Sequence, residues 1–222
     1  MFRQINMDFS KRVVVDTNRG EWQSSPSKGI LRIPLEREEA ELGHTTSLVR
    51  YKPGTSFSKH GHPAGEEIFV LEGTFSDENG NYGPGTYLRH PPGYVHAPFS
   101  SEGCLIYVKL NQFQDTDHKH VRIDTNDSKW ISGHGNLQIL PLHQEGSESI
   151  ALVKWPKKEK FILHSHYGGE EILVLSGTFL DEHGSYPSGT WIRNPHLSTH
   201  HPWVDDDTVI LVRTGHLAKL VS

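Results

Sequence analysis

Valine, isoleucine, threonine and aromatic residues gather in short runs, Thr46 to Tyr51, Glu67 to Glu72, Thr86 to Arg89 and Cys104 to Lys109. Clusters of Gly, Pro, Asn and Asp divide them. Alternating or fully apolar runs of this length read as strands, and the clusters between them as turns. No stretch of ten or more residues keeps a 3.6-residue period, so helices are minor. Asp77-Glu-Asn-Gly80 and Asp181-Glu-His-Gly184 read as hairpin turns in which Gly supplies a positive φ, and their acidic pairs are assigned to turn chemistry rather than catalysis. Many short strands with Gly/Pro turns predict an all-β barrel or jelly roll.

The pattern occurs twice. A shift of 104 residues lays His60–His96 on His164–His200 with 20 of 37 positions identical and no gap. Asp16-Thr-Asn18 and Trp22 recur 108 residues on, as Asp124-Thr-Asn126 and Trp130, so the copies differ by four residues in between. That difference maps to the acidic stretch from Leu35 to Thr46, which reads as a loop or a single helical turn. The chain therefore divides into two tandem units, 1–116 and 117–222, joined by the polar segment Asp115 to His120. Trp22 and Trp130 are expected to be packing anchors.

Composition narrows the chemistry. With 22 Lys and Arg against 27 Asp and Glu, the chain of 222 residues carries a formal charge of −5, and no basic run suits a nucleic-acid backbone. Apolar runs such as Ile68 to Leu71 are far shorter than the ~20 residues of a membrane span. The N-terminal stretch lacks the apolar core of a secretory signal, so the cytoplasm is the expected compartment. The single cysteine, Cys104, allows no intrachain disulfide and no C-x-x-C motif, and reads as a buried strand thiol. Histidine is the outlier, with 16 residues.

On a strand, residues two apart share a face, so His60 and His62 project together. Glu66 follows closely, and His96 comes after a hairpin and a Gly-Thr strand, where an antiparallel neighbour returns. The second copy repeats the set as His164, His166, Glu170 and His200. Flanking positions differ (Gly61 and Ser165, Pro63 and Tyr167) while all four residues match. Three imidazoles and one carboxylate suit Zn²⁺, Mn²⁺, Fe²⁺, Ni²⁺ or Cu²⁺, and suit Ca²⁺ and Mg²⁺ poorly because these prefer all-oxygen shells. His118 and His120, in the joint, lack such a partner set, and Asp205 to Asp207 read as a solvated turn.

These residues carry a family resemblance. Gly54, His60, His62, Glu66 and Gly73 match the first cupin motif, G-x5-H-x-H-x3-E-x6-G, and Gly85, Pro91, Gly93 and His96 match the second, G-x5-P-x-G-x2-H. The H-x-H-x-G-G-E-E core, with D-E-x-G-x-Y and R-x-P after it, resembles in particular the cupin domain of ChrR-type anti-sigma factors. The resemblance implies two tandem double-stranded β-helix (jelly-roll-like) barrels with a metal inside each. Lys158 and Leu197 replace motif glycines in the second copy, which predicts a different backbone freedom there.

ChrR-type proteins bind their sigma factor through a separate N-terminal zinc domain, whereas this chain starts almost directly with its first repeat, so direct sigma-factor inhibition is not expected. The first functional expectation is a metal-binding regulatory or sensory module, with zinc the leading ion, four protein ligands and a regulatory protein partner. The alternative, implied by resemblance to two-cupin dioxygenases, is a metalloenzyme with iron, nickel or manganese and a small-molecule ligand in the barrel, around which Phe57, Arg89, Tyr94 and Tyr107 are candidate pocket residues. Arg89 and Arg193 are expected to pair with ligand carboxylates or with turn carbonyls.

Overall fold

The computed structural model describes residues 3–217 and is built of two compact units. The first has a seven-stranded sheet in the order Val121–Asp124, Thr86–His90, Glu66–Gly73, Cys104–Leu110, Thr45–Tyr51, Ile30–Arg37 and Gln23–Ser24, all antiparallel. A smaller sheet, Thr55–Ser56, Phe99–Ser100, Phe75–Asp77 and Gly80–Tyr82, and the pair His60–Gly61 with Val95–His96 complete the barrel. The second unit repeats this plan from Val13–Asp16 and Thr190–Asn194 across to Gln138–Glu145 and Ile131–Ser132. The result is two all-β barrels in tandem along the chain, as the strand pattern predicts. Among the described residues helix is limited to one 3-10 turn, Thr17–Arg19, and no helix is long and apolar enough to cross a membrane.

Strand alternation sorts the side chains of each large sheet. Ile68, Val70, Leu88, Ile106 and Val108 point inward and pack with Phe75, Tyr82 and Cys104 into the core of the first barrel. Ile172, Val174, Ile192, Ile210 and Phe179 do the same in the second. Cys104 is buried as expected, and burial pushes its thiol up to about 11. The opposite face of the first sheet is buried too, although it carries charge: Glu67, Arg89 and Lys109 are each at most 4% exposed.

The repeat boundary between residues 116 and 117 is not the boundary between the compact units. Residues Asp8–Gly20 pack with the unit that starts at Lys129, and residues up to Ser128 belong to the first. Each repeat sends its first strand to the other's sheet: Val13–Asp16 pairs with Thr190–Asn194, and Val121–Asp124 with Thr86–His90. The Asp-Thr-Asn motif is the latch. Thr17 Oγ1 donates to the Gly189 carbonyl at 2.6 Å and Asn18 Nδ2 to Ser188 O at 2.8 Å, while Thr125 Oγ1 donates to Gly85 O at 2.7 Å and Asn126 Nδ2 to Pro84 O at 2.9 Å. An edge strand covered in this way presents no open row of backbone donors.

Both hairpins form, with a different reason for one glycine. Asp77 Oδ1 accepts from Asn79 N and Asp181 Oδ1 from His183 N, each at 2.8 Å, so the aspartates shape the turns. Gly184 is not among the positive-φ glycines; a Cβ there would stand 3.0 Å from the Tyr186 hydroxyl. Trp22 is exposed and Trp130 half-buried, each under a cation rather than in a hydrophobic core: Arg50 lies 5.0 Å over the Trp22 ring and Lys154 3.8 Å over that of Trp130.

Candidate metal centres

Each ligand set is assembled by three parts of the fold: a two-stranded pair, the turn after its first strand, which carries His62 or His166, and the large sheet. The two-stranded pair carries His60 opposite His96 in one barrel and His164 opposite His200 in the other. The large sheet supplies Glu66 and Glu170 from the first positions of their strands. In the second unit His164, His166, Glu170 and His200 each place a ligand atom within 4.8 Å of all the others. His166 Nε2 is 3.0 Å from His200 Nε2, His164 Nε2 is 3.3 Å from His200 Nε2, and Glu170 oxygens lie 3.4 and 3.6 Å from His166 and His200.

In the first unit the same four positions, with His90, form two overlapping triads instead. One is His60, His62 and His96; the other is Glu66, His90 and His96. Glu66 remains 3.4 Å from His62 Nε2 and 3.3 Å from His96 Nε2, while His90 Nδ1 holds its other flank at 2.9 Å. Donor atoms at these separations match ligands around one first-row ion, about 3 to 3.4 Å apart for metal–donor bonds of about 2.1 Å.

Unpartnered buried nitrogens give a second test of fit. His62 Nε2 and His96 Nε2 are buried and lack a hydrogen-bond partner. Leaving such a group unsatisfied costs about 1–3 kcal/mol. A bound divalent ion would satisfy both nitrogens, so the residues fit the group. Burial holds the His62, His96, His164 and His166 rings below their ordinary pKa, which keeps them neutral and able to ligate near neutral pH. For His200 burial also works downward, but the carboxylates of Asp181, Glu170 and Glu182 outweigh it and the pKa rises. Glu66 is pulled the other way: burial raises it, yet the hydrogen bond from His90 and the neighbouring imidazoles bring it to about 2.

The surrounding shell was only partly legible. Asp77 shapes its turn as expected but is also buried, with Oδ2 3.7 Å from His96 Nδ1; Asp181 stands at the same distance from His200 Nδ1. A carboxylate behind a ligating imidazole fixes its tautomer and raises its basicity. His90 has no histidine counterpart in the second repeat. There Asn194 donates from Nδ2 to Glu170 Oε2 at 2.9 Å, and Arg12 donates from Nε to Asn194 Oδ1 at 2.8 Å and from Nη2 to Asp181 Oδ2 at 2.8 Å. His120 takes the place of Arg12 in the first unit, with its ring 5.4 Å from His90 and 5.2 Å from Tyr94. Strand parity was the available signal for His90, which follows the inward-facing Leu88 by two.

A cavity of about 300 Å³ opens beside the first centre, reaching His60, His62 and Glu66 and walled by Tyr51, Phe57 and Ile106 among others. A cavity of about 240 Å³ lies beside the second, against His164, Glu170 and His200. Of the candidate pocket residues, Phe57 lines the first cavity and Tyr94 stacks on His90 at 4.1 Å. Tyr107 and Arg89 point to the other face of the sheet, because they alternate with the inward residues. Arg89 pairs there with Glu67 and Asp117 rather than with a ligand carboxylate, and Arg193 donates to the Asp8 carbonyl. The loops that lost a motif glycine keep the left-handed backbone: Lys158 has φ 65° and Leu197 φ 59°, beside 74° at Gly54 and 90° at Gly93. The left-handed conformation is therefore retained without glycine, at a strain of about 1–2 kcal/mol per residue.

The sequence model of the ChrR cupin-like domain family matches residues 10–114 and again 118–218. No functionally curated protein matches the chain. Its structure is similar to that of a candidate dioxygenase from Nostoc punctiforme, at 17% identity and a TM-score of 0.79 over 92% of this chain and 82% of that one. It is similar to the protein YlbA from Escherichia coli at 14% identity and a TM-score of 0.72, over 97% and 95% of the two chains. The E. coli pirin YhhW in complex with nickel(II) matches at 14% identity and a TM-score of 0.68, over 92% of this chain and 98% of that one. Likeness at such identity establishes a shared fold.

Proposed function

The chain belongs to the ChrR cupin-like domain family through both of its repeats, and from that premise we propose that it is a divalent-metal protein with one centre per barrel, the first of them open to a small organic molecule. His60, His62, Glu66 and His96 would hold the ion in the first barrel, and His164, His166, Glu170 and His200 in the second. The observation that carries this reading is the cavity whose wall includes three of the first ligand set. A structural zinc site is closed by its four ligands, whereas a working centre keeps a position for water or substrate. Nickel(II) on the pirin scaffold supports a first-row ion on this fold.

A bound ion would supply Lewis acidity and a template for the small molecule. The chain's own residues do the rest. Asp77 sets a negative charge 3.7 Å behind His96, His90 steadies the carboxylate of Glu66, and the apolar wall of Tyr51, Phe57 and Ile106 limits water around the ligand. Glu66 stays ionised across the physiological range because its pKa is near 2. The regulatory or sensory reading, with zinc in a closed site and a protein partner, is favoured instead by the family match itself.

Water exchange separates the two. The chain carrying His200→Ala, so that only the first centre remains, is loaded with Mn²⁺ and its water-proton relaxation measured. An open centre gives enhancement above that of the same protein after a chelator has removed the ion from the site. Stoichiometric Mn²⁺ without relaxation enhancement would contradict the open centre and return the closed, sensory site.

A further inference from the structure

The first cavity has a second polar end, which the metal reading does not use. Its wall includes Arg32, Arg37 and Glu41. A β-bulge puts both arginines on the same side: the register of Ile30–Arg37 against Thr45–Tyr51 slips between Pro34 and Glu36, so Arg32 faces Val49 and Arg37 faces Thr45, and both partners line the cavity. Without the slip, Arg37 would point to the opposite face. In the second unit the equivalent register pairs are Ile139 with Val153 and Gln144 with Ser149, so neither cation is present.

One carboxylate lies between the two guanidinium groups, hydrogen-bonded to Arg32, while Arg37 donates to the Ala40 carbonyl of the same loop. Arg32 grips Glu41 with both terminal nitrogens, Nη2 to Oε1 at 2.6 Å and Nη1 to Oε2 at 3.2 Å, and Arg37 Nη2 stands 3.7 Å from Oε2. Arg37 is buried, and its cation is disfavoured first by that burial and then by the charge of Arg32. Glu41 itself is half exposed and sits on a loop, residues 38–44, where the second unit has only 146–147. The loop rests on the barrel through a few polar contacts: Arg37 donates from Nε to Ala40 O at 3.0 Å and also from Nη2, the His44 ring lies 3.0 Å from Glu36 Oε2, and Asn111 Nδ2 donates to Gly43 O at 3.0 Å. Asn111 Oδ1 also accepts from Ala64 N at 3.1 Å, which ties this loop to the segment between His62 and Glu66.

We propose that this cavity binds a small carboxylic acid with an apolar body, whose carboxylate takes the place of Glu41 on Arg32 and Arg37 while its other end lies at the first metal centre. The inference rests on the metal reading for the latter end only. Paired arginines recognise a carboxylate bidentately, Ile30, Val49 and Ile106 suit the apolar body, and the 38–44 loop acts as a lid whose own carboxylate fills the anion site when the cavity is empty.

The test is calorimetric titration of the full chain, metal-loaded and chelator-treated, with benzoate and with benzamide, its neutral isostere. Benzoate should bind at least about tenfold more tightly than benzamide, the ratio expected from charge-assisted hydrogen bonds. Arg32→Met should abolish that preference with metal content unchanged, and Glu41→Gln should tighten benzoate binding several-fold by freeing the arginines. Equal binding of the two probes, or a preference that survives Arg32→Met, overturns the proposal even if metal is bound. No effect of Glu41→Gln overturns the displacement by the lid. An arginine-dependent preference in a chain that takes up no metal supports the carboxylate site and overturns the metal reading instead.

Discussion

Replacing Arg89 with methionine is expected to destabilise the first unit by about 3–5 kcal/mol, the usual consequence of removing one partner from a buried ion cluster. Arg89 is fully buried, bonds Glu67 and Asp117 (2.5 Å) and lies 3.9 Å over the Phe113 ring. Methionine fills much of the volume but removes the guanidinium that bonds both carboxylates. Asp117 belongs to the segment that leads into Val121–Asp124, the strand added to this sheet, so the loss also loosens the exchanged strand. Thermal unfolding followed by calorimetry should show a fall of about 6 to 20 °C for the transition of the first unit, at about 2–4 °C per kcal/mol for a chain of this size. A fall of less than about 2 °C would mean that the cluster is neutral in stability.

Asp77→Asn is expected to weaken metal binding at the first centre by about 10- to 100-fold, the typical effect of removing a partner behind a ligating histidine. Asp77 accepts from the hydroxyls of Tyr82 at 3.0 Å and Tyr94 at 3.2 Å while facing His96 Nδ1 at 3.7 Å. The amide keeps the shape and one acceptor but removes the charge that favours a donor on Nδ1 and a free lone pair on Nε2. Asp181 is untouched in the second unit, so affinity there is the internal control. Competition against a chromophoric chelator reads both sites. Two unchanged affinities would reduce Asp77 to a turn former.

The barrels and the two candidate ligand sets were legible because each depends on local pattern. Alternation marks the strands, the i, i+2 rule turns H-x-H into a pair on one face, and the internal repeat separates His60 and His164 from histidines such as His183 that have no counterpart. What the repeat concealed was its own crossing. Aligning Asp16-Thr-Asn18 with Asp124-Thr-Asn126 shows equivalence, and only the three-dimensional pairing with Gly189 and Gly85 shows that each motif serves the other repeat. Arg12 could not be placed behind Asp181 for the same reason.

His90 was missed because the comparison favours what recurs, and the group that steadies Glu66 is replaced by Asn194 in the second unit. The arginines of the cavity depended on a bulge, which changes side-chain parity without leaving a period in the sequence. Leu197 shows the converse. A missing glycine predicts a loop of different backbone freedom, yet Leu197 keeps the left-handed backbone at φ 59°, with its N–H donating to the His166 carbonyl at 2.9 Å.

The central claim is that each barrel holds one ion on its own three histidines and one glutamate. It is tested most directly by elemental analysis of the chain made without a histidine tag, beside His96→Ala and His200→Ala. About two divalent ions per wild-type chain and about one in each variant are expected, with the loss confined to the altered barrel. Wild-type protein that takes up no first-row metal, or variants with the full wild-type content, would contradict it.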